Sequence, residues 1–267
     1  MLTKEINTTK AYCPAIRFLH WPLSSVYYQM RRDGVARFTL STFYKYVCRL
    51  HLKRSRPRHP RKNHHIGIRA TAPYQILHAD TTAFKTLDNT KNYIYLIQDN
   101  FSRAILGFRV EQECKAIHAF QNLQTVIREH LISAGVPSCE LITDDGSENA
   151  GPVKELMKHT EYPAITHLIA QRDIEFSNFM IEAANKQLKY GFLYHQHIAN
   201  YEALVKYILQ AIEDFNNRPH TALLGLTPIE AKNGKSVDKA LLKQQTQAGE
   251  IERIAENKKT KCCHYSF

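Results

Sequence analysis

No part of the chain approaches the ~20 uncharged residues that a membrane span requires. The segment Met1 to Cys13, with Lys4, Glu5 and Lys10, has no apolar stretch long enough for a signal peptide. These absences point to a soluble, cytoplasmic protein with no membrane partner. The cysteines, Cys13, Cys48, Cys114, Cys139, Cys262 and Cys263, include no C-x-x-C pair, a spread that suits a reducing compartment better than a disulfide scaffold. Cys262 and Cys263 precede His264, but neighbouring thiols at a polar chain end are more often exposed than metal-bound, so no zinc is expected. Internal repeats are lacking as well, which argues against a solenoid.

Acids are nearly absent from the first part of the chain. Residues 1–72 hold 15 of the 36 Lys and Arg but only 2 of the 25 Asp and Glu, so the whole net charge of +11 is N-terminal. The densest run is Lys53, Arg54, Arg56, Arg58, Arg61 and Lys62, broken by Pro57 and Pro60. It reads as an extended arm that neutralises phosphates, with a merely solvated linker as the alternative. Segregation this complete favours nucleic acid as partner.

Composition divides the chain of 267 residues into a basic region at 1–72, a mixed compact zone at 73–235 and a polar tail at 236–267. In the first, the stretches beginning Leu23-Ser24-Ser25 and Leu40-Ser41-Thr42 each place Ser or Thr ahead of an aromatic-containing helical segment. Two short helices of this kind suit a DNA-contacting helix-turn-helix. The middle zone opens with strand-like runs at 75–84, 92–98 and 103–110, joined by breaks short enough for hairpins. A helical pattern at 116–133 follows, then a strand at 139–143, a helix near 153–159 and a fifth strand at 164–170. Further helices are expected from Ser177 or Asn178 and over 201–215, and the amide-rich tail reads as a weak helix or as disordered. The order predicts an α/β fold, a mixed sheet with helices on its faces.

Three acids in this zone carry the chemical interest. Asp80 interrupts an apolar strand, so its carboxylate is either buried at a cost or used. Asp144 follows Leu141-Ile142-Thr143 and precedes Gly146, where a strand ends in a turn. Glu182 sits one turn into a helix, with Lys186 and Lys189 at i+4 and i+7. Any one of them alone reads as an ordinary surface acid or cap. Brought together, the three would repel unless cations joined them, and oxygen-only ligands suit Mg²⁺ or Mn²⁺. Two such ions about 4 Å apart would serve an in-line phosphoryl displacement.

The stretches Ile76-Leu77-His78-Ala79-Asp80-Thr81-Thr82, Tyr95 to Arg103, Thr143-Asp144-Asp145-Gly146-Ser147-Glu148-Asn149 and Ser177 to Glu182 resemble, in order, the core motifs of the DDE transposase and retroviral integrase superfamily. Between Asp144 and Glu182 lie 37 residues, close to the family's usual spacing. Phe215-Asn216-Asn217-Arg218-Pro219-His220, with Thr227-Pro228, is similar to the segment that closes the core in bacterial insertion-sequence transposases. The likeness covers about residues 73–232. It implies a five-stranded ribonuclease H-like core with Asp80, Asp144 and Glu182 as the metal-binding triad, and Lys189 touching the element's DNA end. It also implies structural roles for Asp99, Arg103 and, in part, Arg218 and His220. The expected activity is cleavage and joining of DNA strands with two Mg²⁺ or Mn²⁺ ions, by a homo-oligomer on element ends and target DNA in the bacterial cytoplasm, associated with the nucleoid. A same-fold nuclease that does not join, and a catalytically inactive DNA-binding derivative, remain as rivals. The sequence departs from the pattern where an aromatic residue commonly precedes the first Asp, since Leu77 and His78 stand there, and at Ser177 and Asp145.

Overall fold

The computed structural model describes residues 2–54, 67–144, 163–174 and 178–259. The expected helix near 153–159, Arg56, Arg58, Arg61 and Lys62 of the arm, Asp145 and the terminal Cys262, Cys263 and His264 lie outside these residues. The chain falls into two compact units. One draws on Met1–Arg61, Arg218–Leu226 and Ser236–Phe267, the other on Lys62–Asn217 and Thr227–Lys235.

In the second unit, β-branched and aromatic runs form β1 (Ile76–Lys85), β2 (Lys91–Asp99) and β3 (Ile105–Glu111). β1 pairs antiparallel with β2 from Leu77↔Asp99 to Lys85↔Lys91, and β2 pairs antiparallel with β3. Both hairpins turn through short polar residues. In the first, Asp88 Oδ1 accepts from Thr86 Oγ1 at 2.6 Å and from the Thr90 amide at 3.0 Å, while Asn89 takes φ 68°. In the second, buried Asp99 accepts from the Ser102 amide and hydroxyl at 2.7 and 2.5 Å, and from the Tyr74 amide at 2.8 Å, while Arg103 takes φ 66°. Such local bonds are why Asp and Asn favour turns. β4 (Ser138–Thr143) and β5 (Ala164–Ile169) then add in parallel, giving the order β3-β2-β1-β4-β5.

Apolar side chains on the two faces of this sheet form separate cores. On one face Leu77, Ile97, Cys139, Leu141 and Ile165 meet Leu123 and Val126 of α4 (Ala116–Val126). α4 packs so closely on β3 that a Cβ at Gly107 would run into the Val126 and Asn122 side chains. The pattern at 116–133 predicts one continuous α-helix, but the chain winds as a π-helix at Ile127–Ile132. The wider turn brings adjacent Val126 and Ile127, and then Leu131, all into the core. On the opposite face Phe84, Ile94, Leu96, Ile105 and Val110 are covered by α5 (Phe179–Gly191) and α6 (Tyr201–Asn217). Asn216 fastens α6 to β3 by a pair of bonds to the Ile105 backbone, both 2.9 Å. α7 (Pro228–Lys232) starts with a reciprocal cap between Thr227 and Glu230, the form expected where Thr precedes Pro at a helix start.

The first unit contains α1 (Thr3–Tyr12), α2 (Leu23–Arg32), α3 (Leu40–Arg49) and α8 (Lys239–Lys259). Val26, Met30, Phe38, Phe43 and Val47 form its core. The expected Ser/Thr caps are not found at the expected residues: Ser24, Ser25, Ser41 and Thr42 lie inside their helices, Thr39 just ahead of that stretch caps α3 by accepting from the Thr42 amide at 3.2 Å, and Pro22 precedes α2 and supplies no side-chain cap. Of the two expectations for the polar tail, a helix is found: residues 239–259 form a 21-residue helix that groups with the N-terminal region. Its ties are polar and close. Arg31 donates to Leu242 O at 3.1 Å, Thr246 Oγ1 at 3.2 Å and Gln245 Oε1 at 3.1 Å, and Gly249 leaves no room for a Cβ against the Arg37 backbone.

Candidate active site

The sheet register brings two of the expected acids together. His78 pairs with Ile142, the last pair of the parallel β1–β4 ladder, and two residues beyond it stand Asp80 on β1 and Asp144, the residue that follows β4. Glu182 stands in the first turn of α5. Asp80 is half-buried, with Oδ1 accepting from the Thr81 amide at 2.8 Å and Oδ2 from Asn185 Nδ2 at 2.6 Å. Burial, then the negative charge of Asp144 and, less strongly, that of Glu182 push its pKa up to about 6, against those hydrogen bonds. The fields of the other two acids therefore converge on this carboxyl.

The helix that carries Glu182 is fixed to β1 by a buried amide and imidazole relay. Asn178, just ahead of α5, donates to Ala79 O at 2.8 Å, and its Oδ1 lies 2.7 Å from His78 Nδ1. The other ring nitrogen of His78 faces Asn100 Nδ2 at 2.9 Å, and Asn100 Oδ1 accepts from the Ala70 amide at 2.9 Å. With its oxygen so engaged, Asn100 donates to Nε2, which leaves Nδ1 as the protonated nitrogen that donates to Asn178. Burial lowers the His78 pKa, in keeping with a neutral ring. Sequence reading overlooked Asn178 and Asn185 as working residues. The available signal was their placement at i−4 and i+3 of Glu182, two buried amides on a helix face otherwise lined by Ile181, Ala184 and Leu188.

Lys186 and Lys189 are placed differently. Lys186 Nζ lies 3.7 Å from Glu182 Oε2, and both side chains are exposed. Lys189 turns to β1, donating to Ala83 O at 2.8 Å and Thr82 Oγ1 at 3.1 Å, and burial lowers its pKa although Asp80 opposes that shift. Of the basic arm, Lys53 is exposed. The charge run predicts that Arg54 faces phosphate, but its guanidinium donates to Cys13 O at 2.7 Å and to Trp21 O, and so braces the helical unit. Two main-chain carbonyls offered a closer partner than solvent.

Among the described residues no group of three or more His, Cys, Asp and Glu side chains is gathered closely enough to hold an ion. Asp80, Asp144 and Glu182 nevertheless fit Mg²⁺ or Mn²⁺ in donor chemistry. They supply oxygen alone, their repulsion at Asp80 is what a cation relieves, and Mg²⁺ needs only one or two carboxylates beside water and phosphate. Among the described cysteines all are free. Among the described residues no helix is long and apolar enough to cross a membrane.

No protein-family model and no curated protein matches the sequence. Among solved structures, a chain of the simian T-cell lymphotropic virus intasome in complex with the PP2A regulatory subunit B56 gamma is similar over 84% of this chain and 73% of that one, with a TM-score of 0.50 and 19% identity. The catalytic core domain of BIV integrase matches 60% of this chain and 95% of its own, with a TM-score of 0.44 and 18% identity. For the catalytic domain of Mos1 mariner transposase the shares are 53% and 76%, with a TM-score of 0.38 and 13% identity. The intasome likeness and the mixed sheet order together identify the sheet unit as a ribonuclease H-like α/β core.

Proposed function

We propose that the chain is a DDE-type transposase or integrase of the bacterial insertion-sequence kind, acting on element ends and target DNA as a homo-oligomer in the cytoplasm. The single observation that carries this reading is the convergence of Asp144 and Glu182 on a half-buried Asp80 at the centre of the sheet. A half-buried acid whose pKa is raised by two further acids costs stability when ionised, and acids perturbed in this way cluster at functional sites. In this reading Asp80, Asp144 and Glu182 hold two Mg²⁺ or Mn²⁺ ions. When bound, the ions supply charge stabilisation to the attacking and leaving oxygens of a phosphodiester.

The chain's own residues do the positioning. Asn185 orients the Asp80 carboxylate through its 2.6 Å bond, and the His78–Asn178 pair keeps α5, and Glu182 with it, seated on β1. Lys186, exposed on the same helix, would meet phosphate, and Lys189 would do so on releasing its bonds to Ala83 O and Thr82 Oγ1. α2 and α3 read as the helix-turn-helix of a DNA-binding region, and Lys53, Arg56, Arg58, Arg61 and Lys62 as the arm that adds affinity independent of sequence. Hydrolysis of one phosphodiester at an element end frees a 3′-hydroxyl, which attacks a second phosphodiester in the target, so that one bond is exchanged for another without a covalent protein intermediate.

The test is incubation of the full chain with labelled element ends and a target duplex in Mg²⁺. Nicked ends and joined products are expected. Fragments without joined products would favour a nuclease of the same fold. DNA binding with no cleavage in Mg²⁺ or Mn²⁺ would leave an inactive DNA-binding derivative.

A further inference from the structure

Beyond the acids, α5 ends in an aromatic surface that the chemistry above does not use. Tyr190 and Tyr194 are 65% and 52% exposed, and their rings lie 5.1 Å apart. Tyr194 stacks at 5.2 Å on Phe84, which is itself part of the buried core between the sheet and α5. The 3₁₀ turn that carries Tyr194 (Leu193–His195) is tied back to the helix, since His195 Nε2 donates to Tyr190 O at 3.1 Å. The result is a rigid ledge: a core-anchored Phe, one ring stacked on it, and a second ring beside that.

Isolated exposed tyrosines need no explanation. This pair differs in its anchoring and in its charged surroundings. Lys186 is exposed one turn before Tyr190. Glu182, Lys186 and Tyr190 follow one another at four-residue intervals along one side of the helix. Eight residues span about 12 Å at the rise of an α-helix, and that is roughly three to four nucleotide steps at the 3.4 Å spacing of a duplex strand. Exposed rings with an ammonium group one turn away match the faces of nucleobases joined by phosphates.

We propose that Tyr190 and Tyr194 form a stacking ledge for an unpaired base, three to four nucleotides from the phosphodiester that reacts near Glu182. The proposal rests on the reading that the protein acts on DNA. A paired base already stacks on its neighbours, so the ledge favours DNA that is single-stranded or frayed at this distance.

The test measures binding of the full chain to a blunt duplex and to the same duplex with a four-nucleotide single-stranded tail, by fluorescence anisotropy at several salt concentrations. Wild type is expected to prefer the tailed DNA. Tyr190→Ala and Tyr194→Ala should each weaken binding to it by between about fivefold and a hundredfold, while leaving the blunt duplex and the salt slope unchanged. Tyr190→Phe and Tyr194→Phe should behave as wild type, because the ring and not the hydroxyl does the stacking. Equal losses on both DNAs, failure of the Phe variants, or wild-type indifference to the tail would each overturn the ledge. Tight binding to blunt duplex with no tail effect removes the ledge alone, whereas no binding to either DNA removes the functional reading beneath it.

Discussion

Glu5 in the helical unit and Asp80 in the sheet unit are both acids drawn away from water, but their surroundings differ in sign. Glu5 accepts from Tyr46 Oη at 2.8 Å and from Arg253 at 2.9 Å, so a cation and a hydroxyl from two other helices close on it. Asp80 has two neutral hydrogen-bond donors, and the acids Asp144 and Glu182 raise its pKa further. The first carboxylate joins α1, α3 and α8, and removing it leaves a charge without its mate. The second holds apart charges that the fold alone does not reconcile. The first acid is matched by a bonded cation, whereas the second feels only the more distant Lys189 against two like charges, which is the pattern the proposed ligand role calls for.

The largest effect should come from breaking the uncompensated set. Asp80→Asn, Asp144→Asn and Glu182→Gln are each expected to reduce cleavage and joining by several orders of magnitude while DNA binding persists, since on the proposed function each removes charge that would hold the ions. Product gels and anisotropy on the same preparations provide the check. Comparable activity in any one amide variant would remove that residue from the assignment.

Stability should respond with opposite signs in the two units. Glu5→Ala, which strands Arg253, should lower stability by about 2–3 kcal/mol, the range for charge-assisted hydrogen bonds near the protein edge. Asp80→Asn should raise it at pH 7 when no divalent cation is present. The sign follows from linkage. The folded pKa of about 6 lies above the ordinary value of 3.8, so the folded state binds the extra proton between these values. Stability is greatest below about pH 4 in this respect and falls as pH rises towards 6, by about 2–3 kcal/mol in all. Thermal melts from pH 4 to 7 in EDTA should show that fall in wild type but not in Asp80→Asn, and Mg²⁺ should reduce it. A pH-independent wild type would refute the mutual repulsion at this site.

The sheet was legible because its strands announce themselves. The β-branched runs, Asp88-Asn89-Thr90 and Asp99 to Ser102 specify hairpins by local chemistry, and the fold class follows from their order. The helices of the first unit were less so. In α1 the buried side chains are Glu5 and Thr9, and in α8 the only buried residue is Gly249, so neither presents the apolar stripe from which a helix face is read. Their packing depends on Arg31, Arg253 and a missing Cβ, which have meaning only once the partners meet in space. At the site, the acids stood out as acids, but Asn178, Asn185 and His78 did not, because a buried amide is indistinguishable in sequence from an exposed one.

A smaller effect separates Arg54 from the remainder of the arm. Replacing Arg56, Arg58, Arg61 and Lys62 together with Gln should weaken binding to every DNA sequence and lower the slope of log K against log salt by about 0.9 for each phosphate that is no longer neutralised. Arg54→Gln should instead lower the melting temperature and leave the slope unchanged, since its guanidinium serves the carbonyls of Cys13 and Trp21. A normal slope in the fourfold variant would make the arm a plain linker.

The smallest effect is expected at Asp145, next to one of the largest. Asp80 and Asp144 each stand two residues beyond the His78–Ile142 pair of the β1–β4 ladder, and Asp144 reaches Asp80 electrostatically. On a regular strand, successive side chains alternate between faces. Asp145 itself lies outside the described residues, ahead of Gly146 in a stretch whose composition suits a turn, where an Asp side chain commonly bonds to nearby backbone amides. Asn makes similar bonds, so Asp145→Asn should keep most of the activity, and the loss of one negative charge beside the phosphates should leave DNA binding equal or slightly tighter. Side-by-side assays of Asp144→Asn and Asp145→Asn decide the matter. Equal loss in both would make the second acid a metal ligand too or the turn intolerant of the change, and the reverse order would mean that the face assigned to Asp144 belongs to its neighbour.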